Sequence, residues 1–135
     1  MPSTRSRRRS TAQPDPGPEA TARADAEVTT CPSTGLPPTA RVLFAVVNAD
    51  GALVRGLGAA VADRLATGMY QVVFDQDVTA AGYVGTLGLP GNAGVAPCGE
   101  VTVAGRTGIP NAVFVCTYAV DGTPTDRPFH LAVLT

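Results

Sequence analysis

From position 42 onward, short runs of Val, Phe, Tyr and Leu recur every eight to twelve residues, separated by Gly, Asn, Asp and Pro. That interval predicts short antiparallel strands joined by turns, since helical apolar positions recur every three to four residues. Eight segments fit: 42–47, 52–55, 60–65, 69–75, 83–87, 101–104, 112–118 and 129–134. The clearest is 69–75, where Tyr70, Val72 and Phe74 alternate with Met69, Gln71 and Val73. Residues 48–51, Asn-Ala-Asp-Gly, predict a turn that folds the first two segments into a hairpin. Only 59–66 suits a helix as well as a strand. The expected fold class is therefore all-β, an antiparallel β-sandwich or jelly roll of seven to eight strands. Its expected core includes Phe44, Tyr70, Val72, Phe74, Tyr83, Val115, Phe129 and Leu131.

Residues 1–40 contrast with this. They are Ser, Thr, Pro, Arg, Ala and acids, and after Met1 their only sizeable aliphatic residues are Val28 and Leu36. Such a segment cannot bury enough apolar surface to offset the entropy of ordering it, so a disordered N-terminal arm is expected over 1–40 and a single domain over 41–135. Pro37 and Pro38 mark the boundary, and Arg41 opens the first sustained apolar run.

Several strands are apolar on both faces. Val42, Phe44 and Val46 oppose Leu43 and Val47; Phe129, Leu131 and Val133 run into Leu134; Phe114 and Tyr118 oppose Val113 and Val115. A two-sheet sandwich covers one face of each sheet. A second apolar face implies that another copy of the chain, or an attached domain, covers it.

Composition narrows the function. The net charge of −1 conceals a split: positions 1–40 carry five arginines against four acids, and positions 41–135 five against seven. All ten basic residues are arginine. No run approaches the ~20 apolar residues of a membrane-spanning helix, so no span is expected. The arginines near the N-terminus are followed by Pro, Asp, Glu and Thr where a secretory leader needs an apolar stretch of about 7–15 residues, so no leader is expected. Three cysteines, Cys31, Cys98 and Cys116, have no metal-ligand spacing and cannot form a complete disulfide framework. No metal and no cofactor is expected.

Catalytic constellations are weak. His130, the only histidine, lies in an alternating strand, and Cys116 sits in the apolar run 113–120, where burial makes a thiol inert. A dyad of His130 with Cys116 or Ser33 is disfavoured for that reason. All serines lie within 1–40, which excludes a rigidly held serine nucleophile. Asp75 and Asp77 end a strand and could form an acid–base pair or a Ca²⁺ site if joined by Asp63, but turn aspartates are common for backbone reasons. The Gly- and Pro-rich stretch 88–99 lacks the lysine and downstream helix of a phosphate loop and reads as a long exposed connection. No catalytic residue is assigned, and an enzyme is not expected. Arg5, Arg7, Arg8 and Arg9 form the strongest charge feature, a cluster able to neutralise phosphates of nucleic acid, although Asp15, Glu19, Asp25 and Glu27 partly cancel it.

The phrases GMYQVVFDQDVTAAGYVGTLG, VAGRTGIPNAVFV and DGTPTDRPFHLAV resemble a β-rich module of uncharacterised bacterial, especially actinobacterial, proteins. That module is similar to the C-terminal head domains that follow phage tail-fibre or collagen-like stalks. The resemblance covers about 42–134 and implies a β-rich fold, frequent trimerisation and no catalytic residues. In the module a cysteine precedes the strand at 83 and another ends the chain, where this sequence has Ala80, Ala81 and Thr135. Cys98 and Cys116 stand elsewhere and form one disulfide if the fold brings them together. A forty-residue arm replaces the stalk.

Two readings follow. The first is a non-enzymatic structural or surface-recognition module whose main partner is itself, as a homo-oligomer such as a trimer. The second is a shell-like or nucleic-acid-associated protein that contacts phosphates through Arg5, Arg7, Arg8 and Arg9. On the second reading, deleting residues 1–12 abolishes nucleic-acid binding in a gel-shift titration; unchanged binding rules it out.

Overall fold

A computed structural model of the chain describes residues 12–28 and 41–135. The latter form eight strands: β1 Val42–Val47, β2 Leu53–Leu57, β3 Ala59–Ala66, β4 Met69–Phe74, β5 Gly82–Leu87, β6 Glu100–Gly105, β7 Ala112–Tyr118 and β8 Phe129–Leu134. One helix, α1, spans Pro18–Ala26. The strands build two antiparallel sheets: sheet A in the order β2-β1-β8-β5 and sheet B in the order β3-β4-β7-β6. The all-β sandwich expected from the sequence is what forms. Of the nested pairing that defines a jelly roll, first strand with last and second with seventh, only β1 with β8 occurs.

Local chemistry explains the turns. Asn48 to Gly51 closes the β1–β2 hairpin: Gly51 N donates to Asn48 O at 2.9 Å, and the Asp50 carboxylate accepts from Ala52 N at 3.0 Å. The switch from sheet A to sheet B takes a single residue, Gly58, at φ +73°. A Cβ there would lie 2.6 Å from Leu43 Cδ2, so both the backbone angle and the space demand glycine. The segment 59–66, which suited a helix or a strand, becomes a strand because it pairs along β4 from Ala59↔Phe74 to Ala66↔Met69.

The core lies between the sheets. Leu43, Ala45 and Val47 of β1, Phe129, Leu131 and Val133 of β8, Tyr70, Val72 and Phe74 of β4, and Val113 and Val115 of β7 are buried. The Tyr70 and Phe129 rings meet edge to face, with centroids 5.1 Å apart, and Tyr70 Oη donates to Ala49 O at 2.7 Å. That bond satisfies the hydroxyl that burial would otherwise strand.

Two expected core residues differ. Phe44 faces outward from sheet A and is 38% exposed, because β1 turns its odd-numbered residues inward. Both sets along β1 are apolar, so alternation alone could not choose between them, and a one-residue change of phase exchanges the faces. The inner face takes small Ala45 at its centre, where Tyr70, Phe74 and Phe129 already supply bulk. Tyr83 packs at the core margin, half-buried, with its hydroxyl donating to Val78 O.

Residues 12–28 also differ from the disordered arm expected over 1–40. Here 12–28 carries α1 and contacts sheet B. Residues 1–11 and 29–40 fall outside the described residues.

The domain is closed at its ends. Arg41 N donates to Thr135 Oγ1 at 2.9 Å and Thr135 N to Arg41 O at 3.1 Å, so the first and last residues of the sandwich hold each other. The Arg41 guanidinium, buried, grips both oxygens of Asp75 at 3.0 Å and Gln76 Oε1 at 2.8 Å.

Phe129→Ala should lower the unfolding free energy by about 3–5 kcal/mol, and Phe44→Ala by about 1 kcal/mol or less. Urea denaturation checks both; equal costs would contradict the assignment of faces along β1.

Candidate functional site

Among the described residues, the side chains able to do chemistry do not converge. Asp75 is engaged by Arg41. Asp77 closes a turn, accepting from Thr79 N at 2.8 Å and Thr79 Oγ1 at 2.6 Å; these bonds, side chain first, hold its carboxyl below the usual range. Asp63 lies on the outward face of β3, opposite Gln71 and 4.0 Å from Arg23. No acid pair or triad arises from the three. His130 projects from the outer face of sheet A with Nε2 2.9 Å from Leu89 O, whereas Cys116 belongs to sheet B, so the two cannot form a dyad. Ser33, Cys31 and the arginines Arg5, Arg7, Arg8 and Arg9 lie outside the described residues. Among the described residues, no three His, Cys, Asp or Glu gather as a metal site, and no helix is long and apolar enough to cross a membrane.

Cys98 and Cys116 are both free, the first exposed and the second buried. The register explains why the bridge considered for them does not form. Cys116 lies opposite Thr102, and Cys98 is four residues further upstream. At strand rise that is about 13 Å, against about 4.4–6.8 Å between the Cα atoms of a disulfide.

What the fold does assemble is a pair of outer sheet faces with different fates. On sheet B, the outward row Val61, Val73 and Ala112 supports Ile109, and Ala24 of α1 packs into this group and is buried. A polar latch flanks it. Arg106 stacks over the Phe114 ring at 5.6 Å, and its Nε donates to Gln71 Oε1 at 2.7 Å. Arg106 Nη1 donates to Pro14 O at 2.6 Å and Gln13 Oε1 at 3.1 Å. Gln13 completes a small clamp on the β6–β7 turn, its amide donating to Gly105 O at 2.8 Å and its oxygen accepting from Thr107 N at 2.8 Å. Burial pushes the Arg106 pKa down, opposed by the negative charge of Asp15. At the other end, Asn111 Nδ2 donates to both Ala24 O at 2.7 Å and Phe74 O at 2.9 Å, tying helix to sheet.

On sheet A the outward rows run across three strands: Val42, Leu134 and Gly82; Phe44, Ala132 and Val84; Val46, His130 and Thr86. Val42 and Val84 are each 58% exposed, Leu134 48%. Between Phe44, Val46, Val84, Thr86, His130 and Ala132 lies a shallow apolar depression of about 320 Å³. Four strands about 4.8 Å apart and six residues long give a face of roughly 400 Å².

Surplus apolar faces are legible in the strand pattern, whereas the segment that covers one of them is not expected from it. Its signals were present: Pro18 at the first helical turn, Glu19 beside it, Arg23 in the last turn and an alanine-rich body between. Searches against protein-family models, curated protein sequences and solved structures find no match to this chain.

Two measurements follow from these contacts. Asp75→Asn leaves the buried Arg41 charge without its partner and should cost about 3–5 kcal/mol in urea denaturation; a cost below 1 kcal/mol would mean the clasp is replaceable. Asp126 accepts from Gly68 N at 2.8 Å and Arg64 Nε at 2.9 Å. Burial opposes ionisation of this carboxyl, but those bonds outweigh it and hold its pKa down. Its stabilising contribution is therefore complete above the unfolded value of about 3.9 and fades as pH falls through the lower folded value. Asp126→Asn should flatten the acid limb of a plot of melting temperature against pH, whereas an unaltered limb would place the acid sensitivity elsewhere.

Proposed function

We propose that this protein is a non-enzymatic structural or surface-recognition module that self-associates, two copies packing through the outer face of sheet A. The observation that supports this reading is the unequal treatment of the two outer faces. The chain covers the apolar patch on sheet B with its own residues, while Val42, Phe44, Val84 and Leu134 on sheet A stay exposed in adjacent register rows.

Geometry favours a two-fold arrangement. A single flat patch pairs with itself about a two-fold axis, whereas a trimer, which the resemblance to stalk-borne heads implies, needs two different surfaces that meet head to tail. Two faces of roughly 400 Å² bury about 800 Å² together, below the 1,200–2,000 Å² of a standard stable interface. Association through this face alone is accordingly concentration-dependent and weak, and rows of like surfaces on a larger assembly would strengthen it.

Phe44 and Val84 point outward on either side of Ala132 in one register row, so charging them leaves the core untouched. Size-exclusion chromatography with light scattering on the full chain, from micromolar to millimolar, should show the mass rising with concentration. The double variant Phe44→Glu, Val84→Glu should remain monomeric with an unchanged circular dichroism spectrum. A wild-type chain that stays monomeric across the range would refute the proposal, as would an assembly indifferent to both charges. An assembly that co-elutes with strong 260 nm absorbance would favour the arginine cluster and nucleic acid instead.

A further inference from the structure

The segment 12–28 is held by a small set of contacts that can be lost together. Only Ala24 of α1 is fully buried, and nine residues are too few for a stable helix in water, so α1 persists only while docked. Its charges match the face beneath. Arg23 approaches Asp63 on the β3 side, and Asp15 lends its negative field to Arg106 on the β6 side. With the segment removed, sheet B would present Val61, Val73, Ile109 and Ala112 between an acid at one edge and an arginine at the other. Turned about a two-fold axis onto itself, such a face sets Arg106 of each copy toward Asp63 of the other, the same pairing of signs that Arg23 and Asp15 supply within one chain.

From this complementarity we infer that residues 12–28 are a releasable cover that prevents sheet B from pairing with the same face of a second copy. While the cover is docked, the chain has one self-associating face and its assembly closes as a dimer. Once it is released, each copy offers two faces, one on each side of the sandwich, and assembly becomes open-ended. The last consequence rests on the sheet A reading; the masking of sheet B does not.

The test uses the full chain with Phe44→Glu and Val84→Glu, which silences sheet A, and adds Ala24→Glu, which places a charge in the helix's only buried position without altering the sandwich. Amide exchange by mass spectrometry should show residues 18–26 protected in the parent and unprotected in the Ala24→Glu variant, with β4 and β7 protected in both. Light scattering at matched concentration should show the parent monomeric and the Ala24→Glu variant with at least doubled mass, returning to monomer on Asp63→Arg. Arg106→Ala, which removes the latch, should raise the exchange rate of 18–26 in the same direction by at least tenfold. Equal exchange of 18–26 in parent and variant would show that no such cover exists. Free exchange without any gain in mass would show that the uncovered face does not pair. Should the sheet A substitutions fail to change the wild-type mass, the sheet A reading falls, and comparing Ala24→Glu with wild type still decides the masking of sheet B.

Discussion

A β-strand has two faces and a two-layer sandwich buries only one of them, so a chain whose strands are apolar on both sides must deal with what is left. Here Leu43, Ala45 and Val47 go inward while Val42 and Phe44 remain outside, and Tyr70, Val72 and Phe74 go inward while Val73 is outside. Every feature of functional interest descends from those surplus residues. The chain covers part of one outer face with seventeen of its own N-terminal residues, 12–28, while on the other Val42, Phe44, Val84 and Leu134 are exposed among the described residues.

Several buried polar groups hold this arrangement together. Arg41, with Asp75, Gln76 and Thr135, clasps the beginning of the sandwich to its end and to the loop after β4. Asp126 fastens the β3–β4 turn to the segment before β8. Asn111 and Arg106, buried on the outer side of sheet B, hold Ala24, Gln13 and Pro14 of 12–28, and Gln71 in turn holds Arg106. A buried guanidinium without such partners would cost several kcal/mol, so Arg106 makes sense only with Gln71 beneath it and Gln13 and Pro14 above. Among the described residues the carboxylates and the imidazole are spread over both sheets, their connections and 12–28, and no three of them gather.

The same economy shapes what the surface can do. Among the described residues no three acids, histidines or cysteines gather, and on the proposed reading association runs through an extended face, where affinity depends on area and shape. On sheet A, Phe44 is a half-exposed aromatic side chain lining a shallow depression. Ala24 plays the opposite part on sheet B, a small residue that lets a helix lie close.

The sequence by itself determined the all-β class, a count of seven to eight strands and the limits of β1, β7 and β8, with the other limits within two residues. It did so because the period-two pattern and turn residues such as Asn48 and Gly51 act over a few positions, whereas 59–66 needed its pairing with β4 to settle as a strand. It also showed that apolar residues outnumbered the places inside. Only the tertiary structure decided which set of β1 faces inward, since Phe44 and Leu43 are equally apolar and the choice depends on how much volume Tyr70 and Phe129 leave across the sheet. It alone separated Cys98 from Cys116, because register is set by the pairing of whole strands. And it alone brought Gln13 to Arg106 and Ala24 to Asn111, contacts spanning 93 and 87 residues. A segment with one buried alanine holds no record in its own composition of the surface that receives it.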